Sequence, residues 1–257
     1  MSFTDTHTHY IHKQYNKDRD ELISRLLNGG VDNIIECGTN TWSNKKVLEL
    51  VHKFDNMYAT IGYFPTDTDE LEEDETLLLK LEKQILKNKD KVVGIGEIGL
   101  DYYHQANPSV QRKWFLKQLR LAQKLNLPVC IHSREAEFDT LKILEKIKIE
   151  KGVIHCYSYG VETMEKLVEL GFYFGIGGTC TYRNNIELRK AIKEMSLDRI
   201  VLETDCPFLP PLCYGRQRND SLKIEGVITE IAKIKRIPEK EIIEASKENV
   251  KKLYGIR

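Results

Sequence analysis

The chain has 257 residues, 41% of them hydrophobic and 30% charged, which is typical of an ordinary globular protein. Its 39 basic and 39 acidic residues cancel, so overall charge gives no support for nucleic-acid binding, and any such site must be a local patch. The polar N-terminus does not resemble a signal peptide, and no apolar run approaches the length of a membrane span. The six scattered cysteines lack a C-x-x-C pair, so we expect reduced thiols in a cytoplasmic protein.

Apolar, β-branched stretches alternate with amphipathic, charged stretches along the chain. Eight predicted strands follow one another in this order: Phe3–His7, Asn33–Gly38, Tyr58–Phe64, Val92–Leu100, Pro128–Ser133, Gly152–Cys156, Phe172–Gly177 and Arg199–Asp205. Each is followed by a predicted helix: Arg19–Leu27, Ser43–Phe54, Thr76–Lys87, Val110–Leu125, Phe138–Lys148, Glu162–Leu170, Ile186–Met195 and Lys223–Ile234, with a last helix over Pro238–Tyr254. The acidic run 67–75 is expected to be a solvated loop and helix start.

Eight strand–helix pairs in sequence predict a parallel sheet, closed into a single-domain α/β fold of the (β/α)8 TIM-barrel type over residues 1–257. Several of the strand stretches are apolar without alternation, as is typical of strands that are covered on both faces. A doubly wound open sheet is the alternative architecture.

The first predicted strand carries an unusual polar pattern, TDTHTHY. Asp5, His7 and His9 occupy alternate positions, and such positions point to the same side of a strand. Two adjacent neutral imidazoles can share a cation. The alternative is a polar N-terminal arm in which the spacing arises by chance.

Other reactive side chains stand at or near the ends of later predicted strands, where the chemistry of a TIM barrel gathers. They are Glu97 in GIGEIGLD, His132 and Arg134 in IHSR, His155 in IHCYS, and Glu203 and Asp205 in VLETDCP. Burial of an ionised Glu97 among isoleucines costs several kcal/mol unless a cation or strong hydrogen bonds compensate. The pattern therefore predicts a metal site rather than a set of core histidines.

Four imidazoles and two carboxylates are too many ligands for one tetrahedral ion, so we expect two divalent ions. Glu97 is centrally placed on the fourth predicted strand, so we expect its carboxylate to bridge the two ions. The other ligands divide into one group for each ion, namely His7, His9 and Asp205, and His132 and His155. Imidazole ligands favour Zn²⁺ or Mn²⁺, whereas phosphodiester chemistry is typical of Mg²⁺.

With these residues in place, the sequence resembles the TatD-like family of metal-dependent deoxyribonucleases, within the amidohydrolase-type barrels. The matching motifs appear in family order: DTHTH (5–9), GEIGLDYY (96–103), IHSREAEFDTLKIL (131–144), HCYS (155–158), GFYFGIGGTCTY (171–182), ETDCPFL (203–209) and RN (218–219). The resemblance implies a barrel with the same six ligands that hydrolyses DNA by a metal-activated water, often as a 3′-to-5′ exonuclease. The implied substrate is DNA with single-stranded or frayed ends. The sequence departs from the family at Tyr159 and in RNDS (218–221).

Two acids are expected to be catalytic, namely Glu97 as the bridge and Asp205 as the acceptor of the water's proton, with a purely ligating role for Asp205 as the alternative. Glu203 is expected to orient a metal ligand without binding the metal. Arg134 is a candidate phosphate ligand, with a salt bridge to a nearby acid as the alternative.

The segment 210–220 provides further phosphate candidates. Arg216 and Arg218, with Tyr214, form a basic and aromatic patch that suits a single-stranded backbone, and a solvated loop is the alternative. Arg183 is a weaker candidate of the same kind.

Two competing functions use the same metal site. The first is hydrolysis of a small lactone, cyclic amide or phosphoester, since one barrel fold hosts many chemistries. A frequent bridge in such enzymes is a modified lysine, whereas this chain carries Glu97. The second is a catalytically idle metal-binding or scaffold protein. The sequence gives no indication of a membrane or of an obligate protein partner.

Overall fold

The computed structural model of the protein describes residues 2–71 and 76–256, so residues 72–75 of the predicted acidic loop lie outside it. The sheet contains eight parallel strands in sequential order. They are β1 (Phe3–Thr8), β2 (Val31–Cys37), β3 (Met57–Ile61), β4 (Val92–Asp101), β5 (Val129–Arg134), β6 (Gly152–Ile154), β7 (Tyr173–Ile176) and β8 (Ile200–Leu202). Just beyond β8, Asp205 donates its N–H to the His7 carbonyl (3.0 Å), which joins the last strand to the first. The predicted TIM barrel is confirmed, and the open sheet is excluded.

Helices follow the strands around the outside of the barrel. They are α1 (Arg19–Asn28), α2 (Thr41–Val51), α3 (Thr76–Lys87), α4 (Pro108–Leu125), α5 (Glu137–Ile147), α6 (Val161–Glu169), α7 (Ile186–Glu194), α8 (Ile224–Lys235) and α9 (Glu239–Tyr254). Two of them begin two residues earlier than predicted because the chain caps them: Asn40 and Ser43 form a capping box at α2, and Asn107 with Pro108 opens α4. No described helix is long and apolar enough to cross a membrane.

One end of the barrel is closed by the C-terminal helix. Val250, Leu253 and Tyr254 of α9 pack in one apolar cluster with residues near the beginnings of the strands, such as Val93 and Val153. A second, larger apolar cluster fills the space between the sheet and the helices. Because one end is sealed by apolar packing, polar side chains are left to gather at the other end, where the strands finish.

Four strands, β3, β6, β7 and β8, are shorter than predicted, and the differences at β6 and β8 matter for the site. β6 ends at Ile154 instead of Cys156, and β8 ends at Leu202 instead of Asp205. Cys156 and Asp205 have φ values of 46° and 57°, so the chain turns out of the sheet at these positions. His155 and Asp205 are therefore carried by the turns that follow the strands.

Candidate metal centre

Side chains of the DTHTH segment point to two different sides of β1. His7 is buried on β1, His9 follows the strand, and their Nε2 atoms lie 3.1 Å apart. The intervening Thr8 points the other way, towards β2, where its hydroxyl donates to Glu36 (2.7 Å). Asp5 does not join the two imidazoles, because it accepts hydrogen bonds from the backbone and hydroxyl of Thr204 (3.0 and 2.7 Å). The structure thus brings the two histidines together and uses Asp5 to hold the chain beyond β8.

Glu97 stands at the centre of the site. Its Oε2 atom lies 3.4 Å from His7 Nε2 and 3.6 Å from His9 Nε2. Its Oε1 atom lies 3.1 Å from His132 Nδ1 and 3.8 Å from His155 Nε2. Each carboxylate oxygen therefore faces a different pair of imidazoles, which is the arrangement that a carboxylate bridging two cations requires.

Asp205 completes the first of these pairs. Its Oδ1 atom lies 3.3 Å from His9 Nε2 and 3.6 Å from His7 Nε2. Among the described residues, two of the four groups of donor atoms that lie within 4.8 Å of one another consist of these candidates, namely His7, His9 and Asp205, and His7, Glu97 and His155. Nitrogen and oxygen donors at these separations suit a divalent ion, for which metal–ligand bonds are about 2.0–2.2 Å. The residues present therefore fit a metal centre.

His132 is held by an acid that sequence reasoning missed. Its Nε2 atom lies 2.9 Å from Asp101 Oδ2, which leaves Nδ1 to face Glu97. Asp101 also accepts hydrogen bonds from the backbone of Tyr103 and from His104. Burial alone would raise the pKa of Asp101, but the hydrogen bonds from His132 and His104 outweigh it and hold that pKa well below its usual range. The available signal was spacing, because Asp101 comes four residues after Glu97 in the same strand.

Glu203 is the carboxylate beside His155, although the two do not form the aligned hydrogen bond that joins Asp101 to His132. The Nδ1 atom of His155 lies 3.0 Å from Glu203 Oε1, which also accepts the backbone N–H of Cys156 (2.7 Å). Gly175 makes room for this carboxylate, since a Cβ atom there would lie 1.9 Å from Glu203 Oε2. The position suits the orienting role expected for Glu203, with His155 Nε2 left to face Glu97.

Two cysteines contact the buried ring of His7. The Sγ atoms of Cys37 and Cys130 lie 3.2 and 3.3 Å from His7 Nδ1. All six cysteines are free. Contact of the thiols with Nδ1 leaves Nε2 as the nitrogen that faces Glu97 and His9. These two thiols thus have a place beside a candidate ligand, whereas the sequence assigned them only a packing role.

The electrostatics of the site favour positive charge. Burial lowers the pKa of His9, but Asp205 and Glu97 outweigh it and raise that pKa to about 9. Burial acts in the same direction on His132, and Asp101 and Glu97 likewise raise its pKa to about 9. The acids thus stabilise cationic charge where the imidazoles meet, and a bound dication can take the place of those protons.

The site opens into a cavity of about 980 Å³. Arg134 lines it, with its guanidinium 3.8 Å above the centre of the Tyr103 ring. The cavity also has aromatic walls that the sequence did not indicate, formed by Trp42, Phe64 and Phe208. The exposed fractions of Trp42 and Phe208 are 62% and 44%, so both rings are available to a ligand.

The other arginine candidates lie outside this cavity. Arg218 forms two contacts with the Asp18 carboxylate (2.9 and 2.5 Å) and lies 4.6 Å above the Tyr15 ring. Arg216 and Arg183 line a neighbouring groove. Of the four arginines predicted as phosphate ligands, only Arg134 reaches the cavity that contains the candidate metal ligands.

The chain is similar to known metal-dependent hydrolases along almost its whole length. A family model described as TatD related DNase matches residues 4–255. The chain belongs to the TatD-related DNase family. An uncharacterized metal-dependent hydrolase of Bacillus subtilis, YabD, is 34% identical over 98% of this chain and 98% of its own length. The 3′-5′ ssDNA/RNA exonuclease TatD of Shigella flexneri is 30% identical over 95% of each chain.

Solved structures agree with this assignment. The crystal structure of YjjV, a TatD homologue from Escherichia coli, matches with a TM-score of 0.91 and 30% identity over 99% of this chain and 98% of that one. A TatD-family hydrolase from Entamoeba histolytica matches with a TM-score of 0.88 and 26% identity, over 99% and 98% of the two chains. The predicted family is confirmed, and this TatD-family member is a metal-dependent hydrolase that acts on ester bonds.

Proposed function

We propose that this TatD-family hydrolase cleaves the phosphodiester bonds of single-stranded or frayed DNA ends, removing nucleotides from the 3′ end with the help of two divalent ions. The observation that carries the proposal is the position of Glu97, whose two oxygens face separate pairs of imidazoles. A 30% identical relative named as a 3′-5′ ssDNA/RNA exonuclease supports the choice of substrate.

The chain's own residues divide into two sets of metal ligands. His7, His9 and Asp205 would hold one ion, His132 and His155 would hold the other, and Glu97 would be a ligand shared by both. When bound, such a pair of ions polarises phosphoryl oxygens and lowers the pKa of an attacking water. The imidazole-rich donor set favours Zn²⁺ or Mn²⁺, and phosphodiester hydrolysis is also compatible with Mg²⁺.

Asp205 is the assigned proton acceptor. Burial raises its pKa, but the hydrogen bond from His9 and the charges of His155 and His7 outweigh it and hold that pKa below the ordinary value. The carboxylate is therefore ionised at neutral pH and able to take a proton from the attacking water. Asp205 lines the cavity, so a substrate there is within its reach.

Arg134 is the assigned phosphate ligand. Its guanidinium stacks on Tyr103, and no ion pair involves it within residues 2–71 and 76–256. An unpaired guanidinium that is fixed in a plane can bind two oxygens of one phosphate. Arg134 would thus hold the phosphate next to the reacting bond while Asp205 handles the proton.

The test is cleavage of end-labelled single-stranded and duplex DNA by the metal-loaded protein. We expect shortening from the 3′ end by the wild type, and none by a His132→Ala/His155→Ala variant. His52→Ala is the matched control, because His52 lies at the end of α2 and contacts Asn88 rather than the site. Equal cleavage by wild type and double variant, or hydrolysis of a small ester without any cleavage of DNA, would refute the proposal.

A further inference from the structure

A second groove, of about 990 Å³, adjoins the cavity of the metal centre. The two share the chain segment 207–210 as a wall. Phe208 and Leu209 face the cavity, whereas Pro207 and Pro210 face the groove. The segment after β1 continues the division, since Lys13 lines the cavity and its neighbour Gln14 lines the groove. The cavity and the groove therefore lie on the two sides of segment 207–210.

The groove is basic although the protein as a whole is neutral. Three arginines line it, Arg183, Arg216 and Arg218, and no acidic side chain does. Asp18 neutralises Arg218. Arg183 and Arg216 are exposed and have no ion pair or hydrogen-bond acceptor within the part of the chain that the structure describes. Two guanidinium groups are thus available to an anionic ligand.

A neighbouring groove shows that this lack of pairing is local. There Arg189 is paired with Glu230 at 2.5 Å, and Glu225 adds a second acid to the lining. Arg189 is therefore neutralised within the protein, whereas Arg183 lies on the border and lines both grooves. Of these two grooves, the one beside the metal centre is the one without acidic lining residues.

The walls of the groove are fixed by hydrogen bonds. The Asn219 side chain donates to the Phe208 carbonyl (2.6 Å), and the Tyr182 hydroxyl donates to the Pro210 carbonyl (3.1 Å). Below them, a Cβ atom on Gly178 would lie 2.1 Å from the Leu209 carbonyl oxygen, so the backbones are in close contact. A groove with such walls is already formed before a ligand binds, which reduces the ordering cost of binding.

We propose that this groove binds the sugar-phosphate backbone of a single nucleic-acid strand whose end lies in the metal-centre cavity. Arg183 and Arg216 contact phosphates of the strand. Phe208, exposed on the ridge between cavity and groove, offers a face on which a base can stack. The inference rests on the proposed function, because it assigns the groove to the same substrate.

Binding to the groove is tested separately from cleavage. The probe is a fluorescent single strand of about ten nucleotides, with phosphorothioate linkages that slow its hydrolysis. Its Kd for the metal-loaded protein is measured by anisotropy across a series of salt concentrations. The test variant is Arg183→Gln/Arg216→Gln. The control is Lys83→Gln/Arg120→Gln, which removes the same two charges from exposed positions on α3 and α4.

We expect the groove variant to raise Kd roughly tenfold at low salt, and to make the slope of log Kd against log salt less steep by about 1.4, since each phosphate contact on a single strand contributes about 0.7. The control variant should match the wild type. For cleavage, the groove variant should raise KM for the long strand, whereas the control variant Lys83→Gln/Arg120→Gln should leave it unchanged.

The possible results separate the two proposals. If groove variant and wild type bind the strand with equal Kd and equal salt slope, the groove assignment is wrong, whatever the protein cleaves. If the groove variant loses binding but the wild type cleaves no nucleic acid, the groove assignment stands and the proposed nuclease function fails. If the control variant loses as much binding as the groove variant, the effect is one of general charge, and the groove assignment is also wrong.

Discussion

At the scale of single residues, the site depends on carboxylates that lie beside the imidazole nitrogens which do not face Glu97. Glu97 was predictable because an acid in an apolar, glycine-rich strand needs compensation by a cation or hydrogen bonds. Asp101 was missed because it ends the same strand next to polar residues, where an acid is unremarkable. Cys37 and Cys130 were missed because buried cysteines usually only pack. Only the fold shows that all three side chains touch candidate metal ligands.

The role of Asp101 can be tested with an isosteric change. In Asp101→Asn, the His132 Nε2 atom loses its charged partner at 2.9 Å while the shape of the site is kept. We expect metal affinity to fall about 10- to 100-fold, because such partners orient the ligand and raise its basicity. Competition with a chromogenic chelator measures the affinity. Asp90→Asn, at an exposed position before β4, is the control, and equal affinities for both variants would contradict this role.

At the scale of secondary structure, close approach of β4 and β5 brings Glu97 and His132 together. Gly99 pairs with His132 in the parallel ladder and has a φ of 138°, a conformation that side chains with a Cβ rarely adopt. A Cβ atom there would lie 1.9 Å from the His132 carbonyl oxygen. The motif GEIGLD thus contains a glycine that the backbone of the neighbouring strand requires.

The Gly99 requirement predicts a large loss of stability for Gly99→Ala. We expect the free energy of unfolding to fall by about 3 kcal/mol, since backbone strain and overpacking each cost 1–3 kcal/mol. Urea denaturation measures it. Gly160→Ala is a suitable control, because a Cβ atom there would approach only Glu187 Oε2, at 3.6 Å. Similar stabilities for the two variants would show that β4 and β5 can move apart without penalty.

The elements themselves were largely predictable, but their ends were not. Apolar runs between amphipathic stretches predicted, in the right order, the eight strands and nine α-helices that the described residues form. The ends of β6 and β8 were placed too late because Cys156 and Asp205 adopt a positive φ, and neither position carries the glycine that usually marks one. These two turns carry or adjoin His155 and Asp205. These two errors therefore fall at irregular turns that carry candidate metal ligands.

At the scale of the whole molecule, closure of the barrel assembles the site. The candidate ligands come from β1, β4 and β5 and from the turns after β6 and β8, and the chain separates the first from the last by almost 200 residues. An unfolded chain cannot hold them together. Metal binding must therefore be coupled to folding, and it should stabilise the native barrel.

This coupling predicts a shift in the melting temperature. At a metal concentration of 100 times Kd, stabilisation of about 2.7 kcal/mol is expected, which corresponds to a rise in Tm of about 5–10 °C for a chain of this size. Thermal unfolding with Zn²⁺, Mn²⁺ or Mg²⁺ added to chelator-treated protein measures it and ranks the metals. The His132→Ala/His155→Ala variant should show a smaller rise. An equal rise in both proteins would place the stabilising metal elsewhere.

Anomalous X-ray scattering from crystals loaded with Mn²⁺ or Zn²⁺ tests most directly whether Glu97 lies between two divalent ions. We expect two peaks about 3.5–4 Å apart, one beside His7, His9 and Asp205 and the other beside His132 and His155, with one Glu97 oxygen directed at each. A single peak, or two peaks that do not share Glu97, would contradict the account.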